Sequence, residues 1–145
     1  MKTVKPYEPW FFIFFGFFHL HRIWGLVNRK AYSEFWIQAM VQKGAIYYVL
    51  MGLLAIPCIM GIATFIRYPH DRYWWRWMYL FGGGYVLFDL VMIATEQLFW
   101  RRLILQMFDI TAPYWNALWL TFVILGAASL TLGVVLLLQY RKRRS

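Results

Sequence analysis

Acidic side chains are scarce in this chain: six Asp and Glu stand against fifteen Lys and Arg in 145 residues, a formal net charge of +9. Cysteine is scarcer still. The single Cys58, beside Pro57 in an apolar run, excludes an intrachain disulfide, and there is no CxxC or zinc-ligand spacing. Bis-histidine haem ligation by two helices needs a second deep histidine, and the chain has none. Low-complexity tracts, internal repeats and long linkers are missing, as are Ser-His-Asp, Cys-His and phosphate-loop patterns. Gly82-Gly83-Gly84-Tyr85 lies inside an apolar run rather than after a strand, so it is not a phosphate cradle.

What the chain has is hydrophobicity. Apolar residues make up 62% and charged residues only 14%, against about a quarter charged in soluble domains. Four apolar stretches, at 10–27, 45–67, 76–100 and 115–138, each have the length that crosses a hydrocarbon core of about 30 Å. The expected fold class is therefore all-α: a polytopic transmembrane bundle of four helices with short amphipathic interfacial connectors, forming a single integral membrane domain over 1–145. The first stretch is the weakest, because His19, His21 and Arg22 interrupt it. It resembles a signal sequence without a small-residue cleavage site, which is expected to be retained as the first helix. The connectors 28–44 and 101–114 carry aromatic and aliphatic residues (Tyr32, Phe35, Trp36; Leu103, Ile104, Leu105, Phe108) and read as helices lying at the interface.

The positive charge does not point to nucleic acid, because the basic residues sit at the ends of apolar spans, where they orient a protein in a bilayer. Lys2, Lys5, Arg67, Arg72, Arg76 and the basic tail 139–145 (Arg141, Lys142, Arg143, Arg144) fall on one side of a four-span chain. Arg29, Lys30, Lys43, Arg101 and Arg102 fall on the other. The expected location is the cell (cytoplasmic) membrane with both termini cytoplasmic. Tryptophans 10, 74, 75, 77, 100 and 115 flank the spans as an aromatic belt would.

The third stretch carries two acids, Asp89 and Glu96. Ionisable groups at membrane depth face protein or water and mark an interior. Arg22 lies twelve residues beyond Trp10, and Asp89 twelve beyond Trp77; Arg29 and Glu96 follow seven residues later. At 1.5 Å per residue these sites match at depths of about 18 and 28 Å. If helix one runs unbroken through Gly25 and Asn28, Arg22–Asp89 and Arg29–Glu96 are expected as ion pairs between helices one and three. Met78, Gly82, Tyr85, Ile93 and Trp100 share the Asp89 face. Gly82 there, and Gly126, Ser129 and Gly133 in the last helix, are candidates for close helix packing.

His19 and His21, two apart on a helix, point about 200° from one another and are not expected to chelate one ion. His70 lies in the loop on the opposite side of the membrane. No metal or cofactor is expected. Tyr73, Trp74, Trp75 and Trp77 read as interfacial anchors rather than a cation-binding stack. Three function classes fit: an accessory or scaffold subunit of a larger membrane complex, with no catalytic residue; a small oligomeric proton-coupled transporter using Asp89; or a membrane-embedded lipid-modifying enzyme using His19, Asp89 and Glu96. The expected partners are the lipid bilayer and other membrane subunits or further copies of this chain, not nucleic acid.

Overall fold

A computed structural model describes residues 4–70 and 73–142. Lys2, Arg72, Arg143 and Arg144 of the charge pattern lie outside the described residues. Those residues form α-helices and turns: α1 (Glu8–Leu20), α2 (Ile23–Val27), α3 (Arg29–Gln42), α4 (Ala45–Arg67), α5 (Arg76–Ala94), α6 (Leu98–Met107) and α7 (Trp115–Lys142). Four segments are long and apolar enough to cross a membrane: Glu8–Val27, Ala45–Arg67, Arg76–Ala94 and Trp115–Lys142. The chain is an all-α polytopic membrane protein, with α3 and α6 as the connecting helices.

Two boundaries differ from the sequence reading. The third span ends at Ala94 instead of residue 100. Glu96 N–H donates to Ile93 O at 3.2 Å and Gln97 N–H to Met92 O at 3.2 Å. This paired arrangement closes a helix through a left-handed residue, here Glu96 at φ 54°. The first span is not continuous: α1 stops at Leu20 and α2 begins at Ile23, and Asn28 leaves helical geometry with φ −138°. An unbroken helix one carrying Arg22 and Arg29 on a shared face is therefore not what forms.

The chain divides into two packing units, Met1–Glu34 with Asp109–Ser145, and Phe35–Phe108. In the first, α1 packs along α7. The buried residues of α7 include Trp115, Trp119, Gly126, Ser129, Gly133 and Leu136; with half-buried Phe122 they follow alternating steps of four and three. Pro9, Phe12, Gly16 and His19 on α1 step by three and four in the same way. This is the seam of two helices packed at a shallow angle. Glycine makes the contact close. A Cβ on Gly126 would sit 2.8 Å from His19 Cβ, and one on Gly133 would sit 2.7 Å from Ile13 Cγ1 and 2.8 Å from its backbone nitrogen. Ser129 Oγ donates to Phe12 O at 3.0 Å in the same seam. Gly126, Ser129 and Gly133 thus pack within the chain, on α1.

In the second unit α4 packs along α5. The buried positions of α5 are Tyr79, Gly83, Val86 and Leu90. The expected interior face through Gly82, Tyr85 and Asp89 is displaced by one residue, about 100° around the helix. Asp89 is half-buried and Tyr85 exposed. Within the glycine triplet it is Gly83 whose missing Cβ would meet Cys58 O at 3.2 Å. Arg76 fastens the α4–α5 connection. Its guanidinium donates to Pro69 O at 2.7 Å and Phe65 O at 3.1 Å, while lying 4.3 Å from the Phe65 ring centre. Those carbonyls belong to the end of α4 and the turn after it, where helix groups lack partners.

Trp10, Trp74 and Trp77 are exposed, as belt residues are, but Trp115 is fully buried in the first unit and belongs to its core.

Candidate functional site

Most of the sequence-selected polar residues fall into two places, one in each packing unit; Asp89, half-buried on α5, does not line the second of them. In the first, the break between α1 and α2 organises an aromatic cluster. Ending α1 leaves carbonyls of its last turn without helical donors; side chains at the break turn back to one of these, Phe18 O, while His19 bonds a carbonyl one turn further in. His19 Nδ1 donates to Phe15 O at 3.0 Å, His21 Nδ1 donates to Phe18 O, and Arg22 Nη1 donates to the same carbonyl at 3.1 Å. A carbonyl only accepts, so Nδ1 carries the proton in both rings. His21 Nε2 is then an acceptor and takes the Tyr32 hydroxyl at 3.1 Å. The two histidines reach different carbonyls, as their angular separation requires.

Arg22 is surrounded by rings. Its guanidinium carbon lies 4.5 Å from the centre of Phe122, 4.9 Å from Phe18 and 5.9 Å from Trp119. A cation over an aromatic face gains about 0.5–2 kcal/mol, more as water is excluded. His19 is completely buried, stacked at 4.3 Å on Phe15. Tyr32, 1% exposed, meets Trp119 edge-on at 5.4 Å. Burial pushes its phenol above the usual range, and the Arg22 charge partly offsets this. Trp115 Nε1 donates to Gly25 O at 3.0 Å and ties α7 to α2. His19 and Arg22 share Phe122, in line with the face expected for them.

Arg29 is engaged within its own unit: it donates to Asn116 Oδ1 at 2.9 Å and to Ile110 O at 3.4 Å, next to the turn in which Asp109 accepts from Thr111 N and Oγ1. These Thr111 donors hold the Asp109 carboxyl below its ordinary value. Glu8 is an acid that sequence reasoning passed over. It is fully buried at the start of α1 and accepts the Lys5 backbone N–H at 2.7 Å. Its place in a Pro-flanked helix start was the available signal.

In the second unit, Glu96 pairs with Lys43. Both occupy left-handed backbone, with φ 54° and 45°, and they are the non-glycine residues with positive φ among those described. Lys43 lowers the Glu96 pKa, and Glu96 raises that of Lys43. The pair stands at a cavity of about 130 Å³. Ile37, Met40 and Val41 of α3, Met92 and Ile93 of α5, and Trp100, Ile104 and Leu105 of α6 form its apolar walls, with Arg101 beside them. Trp100 Nε1 is shielded from solvent and has no hydrogen-bond acceptor among the described residues. A buried donor left in this way costs about 1–3 kcal/mol. Sequence reasoning gave Trp100 to the aromatic belt and did not single out Lys43 or Arg101 as site residues, because their convergence depends on the turn at Glu96.

Among the described residues no group of three or more His, Cys, Asp or Glu side chains converges as a metal site would require. No protein-family model, curated protein or solved structure matches the chain.

Proposed function

We propose that this protein is an accessory or scaffold subunit of a larger membrane complex, seated in the cytoplasmic membrane with both termini in the cytoplasm. One observation carries this reading: four of the polar groups that could perform chemistry, His19, His21, Arg29 and Glu96, are engaged in holding the chain together. His19 bonds a carbonyl within α1, His21 closes a carbonyl of its last turn, Arg29 joins the first turn of α7 and Ile110 before it, and Glu96 is held by Lys43. Such a protein contributes surface and rigidity rather than a reaction. The excess of basic residues on one side of the four spans supports the orientation.

Native mass spectrometry of the protein, extracted from its own membrane in a mild detergent, tests the proposal. A stoichiometric partner of different mass is expected. A monomer or homo-oligomer without such a partner overturns it.

A second reading, a small oligomeric proton-coupled transporter, is favoured by one feature. Asp89 is half-buried on α5, well inside a segment able to span the membrane. In that reading Asp89→Asn abolishes transport in proteoliposomes while the protein remains folded. In the subunit reading the same variant keeps its partner or fails through lost stability.

A further inference from the structure

We propose that the cavity between α3, α5 and α6 binds the head-proximal part of an anionic phospholipid from the surrounding bilayer. Three observations converge there. The first is the buried indole N–H of Trp100, which lacks an acceptor. The Trp100 ring lines the cavity with its N–H turned away from the open space; a rotation of the ring lets an ester carbonyl or phosphate oxygen supply what that donor is missing, whereas an aliphatic chain does not. The second is charge. Two cations, Lys43 and Arg101, stand at the cavity with one acid, Glu96, and that acid is engaged by Lys43. The Arg101 guanidinium influences Glu96 electrostatically but makes no hydrogen bond or ion pair among the described residues. A phosphate diester placed beside it gains a charge-assisted contact.

The third observation is size and position. A volume of about 130 Å³ is well below the roughly 300–1,000 Å³ that encloses a whole small-molecule ligand. It suits one end of an amphiphile whose remainder stays in the bilayer. The cavity opens where α5 ends at Ala94, at the end of a segment long enough to span, and there headgroups and the first chain carbons lie. Val41, Ile93 and Ile104 line the apolar side that those carbons would meet. The left-handed turns at Lys43 and Glu96 place the ion pair beside Arg101 and keep Glu96 from occupying that guanidinium.

The test is lipid retention by the full-length protein. The protein in mild detergent is mixed with equal amounts of phosphatidylglycerol and phosphatidylcholine of identical chains, and the bound lipid is read by native mass spectrometry. Wild type is expected to retain one phosphatidylglycerol in clear preference. Trp100→Phe, which removes the donor but preserves an aromatic wall, is expected to lower retention of both lipids, and Arg101→Gln is expected to lower the preference for phosphatidylglycerol at least fivefold. Arg101 is exposed, so its variant remains informative should Trp100→Phe fold poorly. Soluble glycerol phosphate in excess is expected to leave the bound lipid in place. Equal retention of the two lipids by wild type overturns the proposal, as does an unchanged preference in Arg101→Gln. Displacement by glycerol phosphate reassigns the site to a soluble phosphate. A polypeptide retained there in place of the lipid also overturns it.

Discussion

Lys43 and Glu96, 53 residues apart, form an ion pair in which both residues hold left-handed backbone, φ 45° and 54°. That conformation normally favours glycine, because a Cβ crowds the neighbouring carbonyl. Each residue also follows a helix: Lys43 directly after α3, and Glu96 two residues after α5. Two helix ends are thus clasped by the residues that terminate them.

The clasp depends on pH in a defined direction. Glu96 is held below its ordinary value of 4.5 by Lys43, so its contribution is complete above that value and is lost as pH falls through the depressed pKa. Lys43 is raised above 10.5, so its contribution is complete below that value and disappears as pH rises through the raised pKa. The protection factor of amide hydrogen exchange at 92–97, corrected at each pH for the intrinsic exchange rate, is expected to fall at the acidic end of this window and to change little between pH 6 and 9. Both groups are exposed, so added salt is expected to weaken the effect.

Glycine at position 96 separates charge from backbone. Glu96→Gln removes the charge and keeps the unfavourable φ; Glu96→Gly removes the charge and relieves the backbone. The expected order of thermal stability in detergent is wild type first, then Glu96→Gly, then Glu96→Gln. A Gln variant more stable than the Gly variant would show that left-handed backbone at 96 carries no penalty.

The α1–α7 seam is expected to be sensitive to single methyl groups. Gly133→Ala places a Cβ 2.7 Å from Ile13 Cγ1, 2.8 Å from Ile13 N and 3.0 Å from Pro9 O, and the two backbone atoms cannot turn aside as a side chain can. Overpacking of this kind costs about 1–3 kcal/mol. Gly84→Ala meets nothing within 4 Å and is expected to be neutral or slightly stabilising, since alanine favours the helix. Melting temperatures of the two variants in one detergent check the contrast.

Tyr32→Phe removes the hydroxyl that donates to His21 Nε2 inside the aromatic cluster. The ring packing stays while a shielded acceptor loses its donor, at a cost of about 1–3 kcal/mol. Thermal unfolding followed by tryptophan fluorescence is expected to shift downward, because Tyr32 contacts Trp119 and Trp115.

Arg76→Lys tests the fastening of α4 to α5. One ammonium does not reproduce the fork that reaches Pro69 O and Phe65 O and lies over the Phe65 ring. Faster proteolysis within 67–76 is expected for this variant, with little change elsewhere.

Composition and hydropathy alone determined that the chain is an all-α membrane protein with four apolar helices, because length and apolarity suffice to state what a bilayer accepts. They also located the small residues at 126, 129 and 133, since close helix approach in lipid needs small side chains at that spacing. They implied that His19 and His21 point apart, a consequence of helical geometry.

Tertiary structure decided the rest, through two helix ends. The departure from helical backbone at Asn28 turned Arg29 toward Asn116, and the turn at Glu96 delivered that acid to Lys43. Matched spacing along two ideal helices predicts partners only while both helices continue. Which face of α5 is buried was likewise decided by packing, because a uniformly apolar helix carries no stripe to mark its interior. The close approach of Cys58 to Gly83, rather than the position of Asp89, set that face. The cavity beside Trp100 lies where the chain leaves α5 through left-handed Glu96 and extended Gln97 to enter α6, local backbone that hydropathy does not encode.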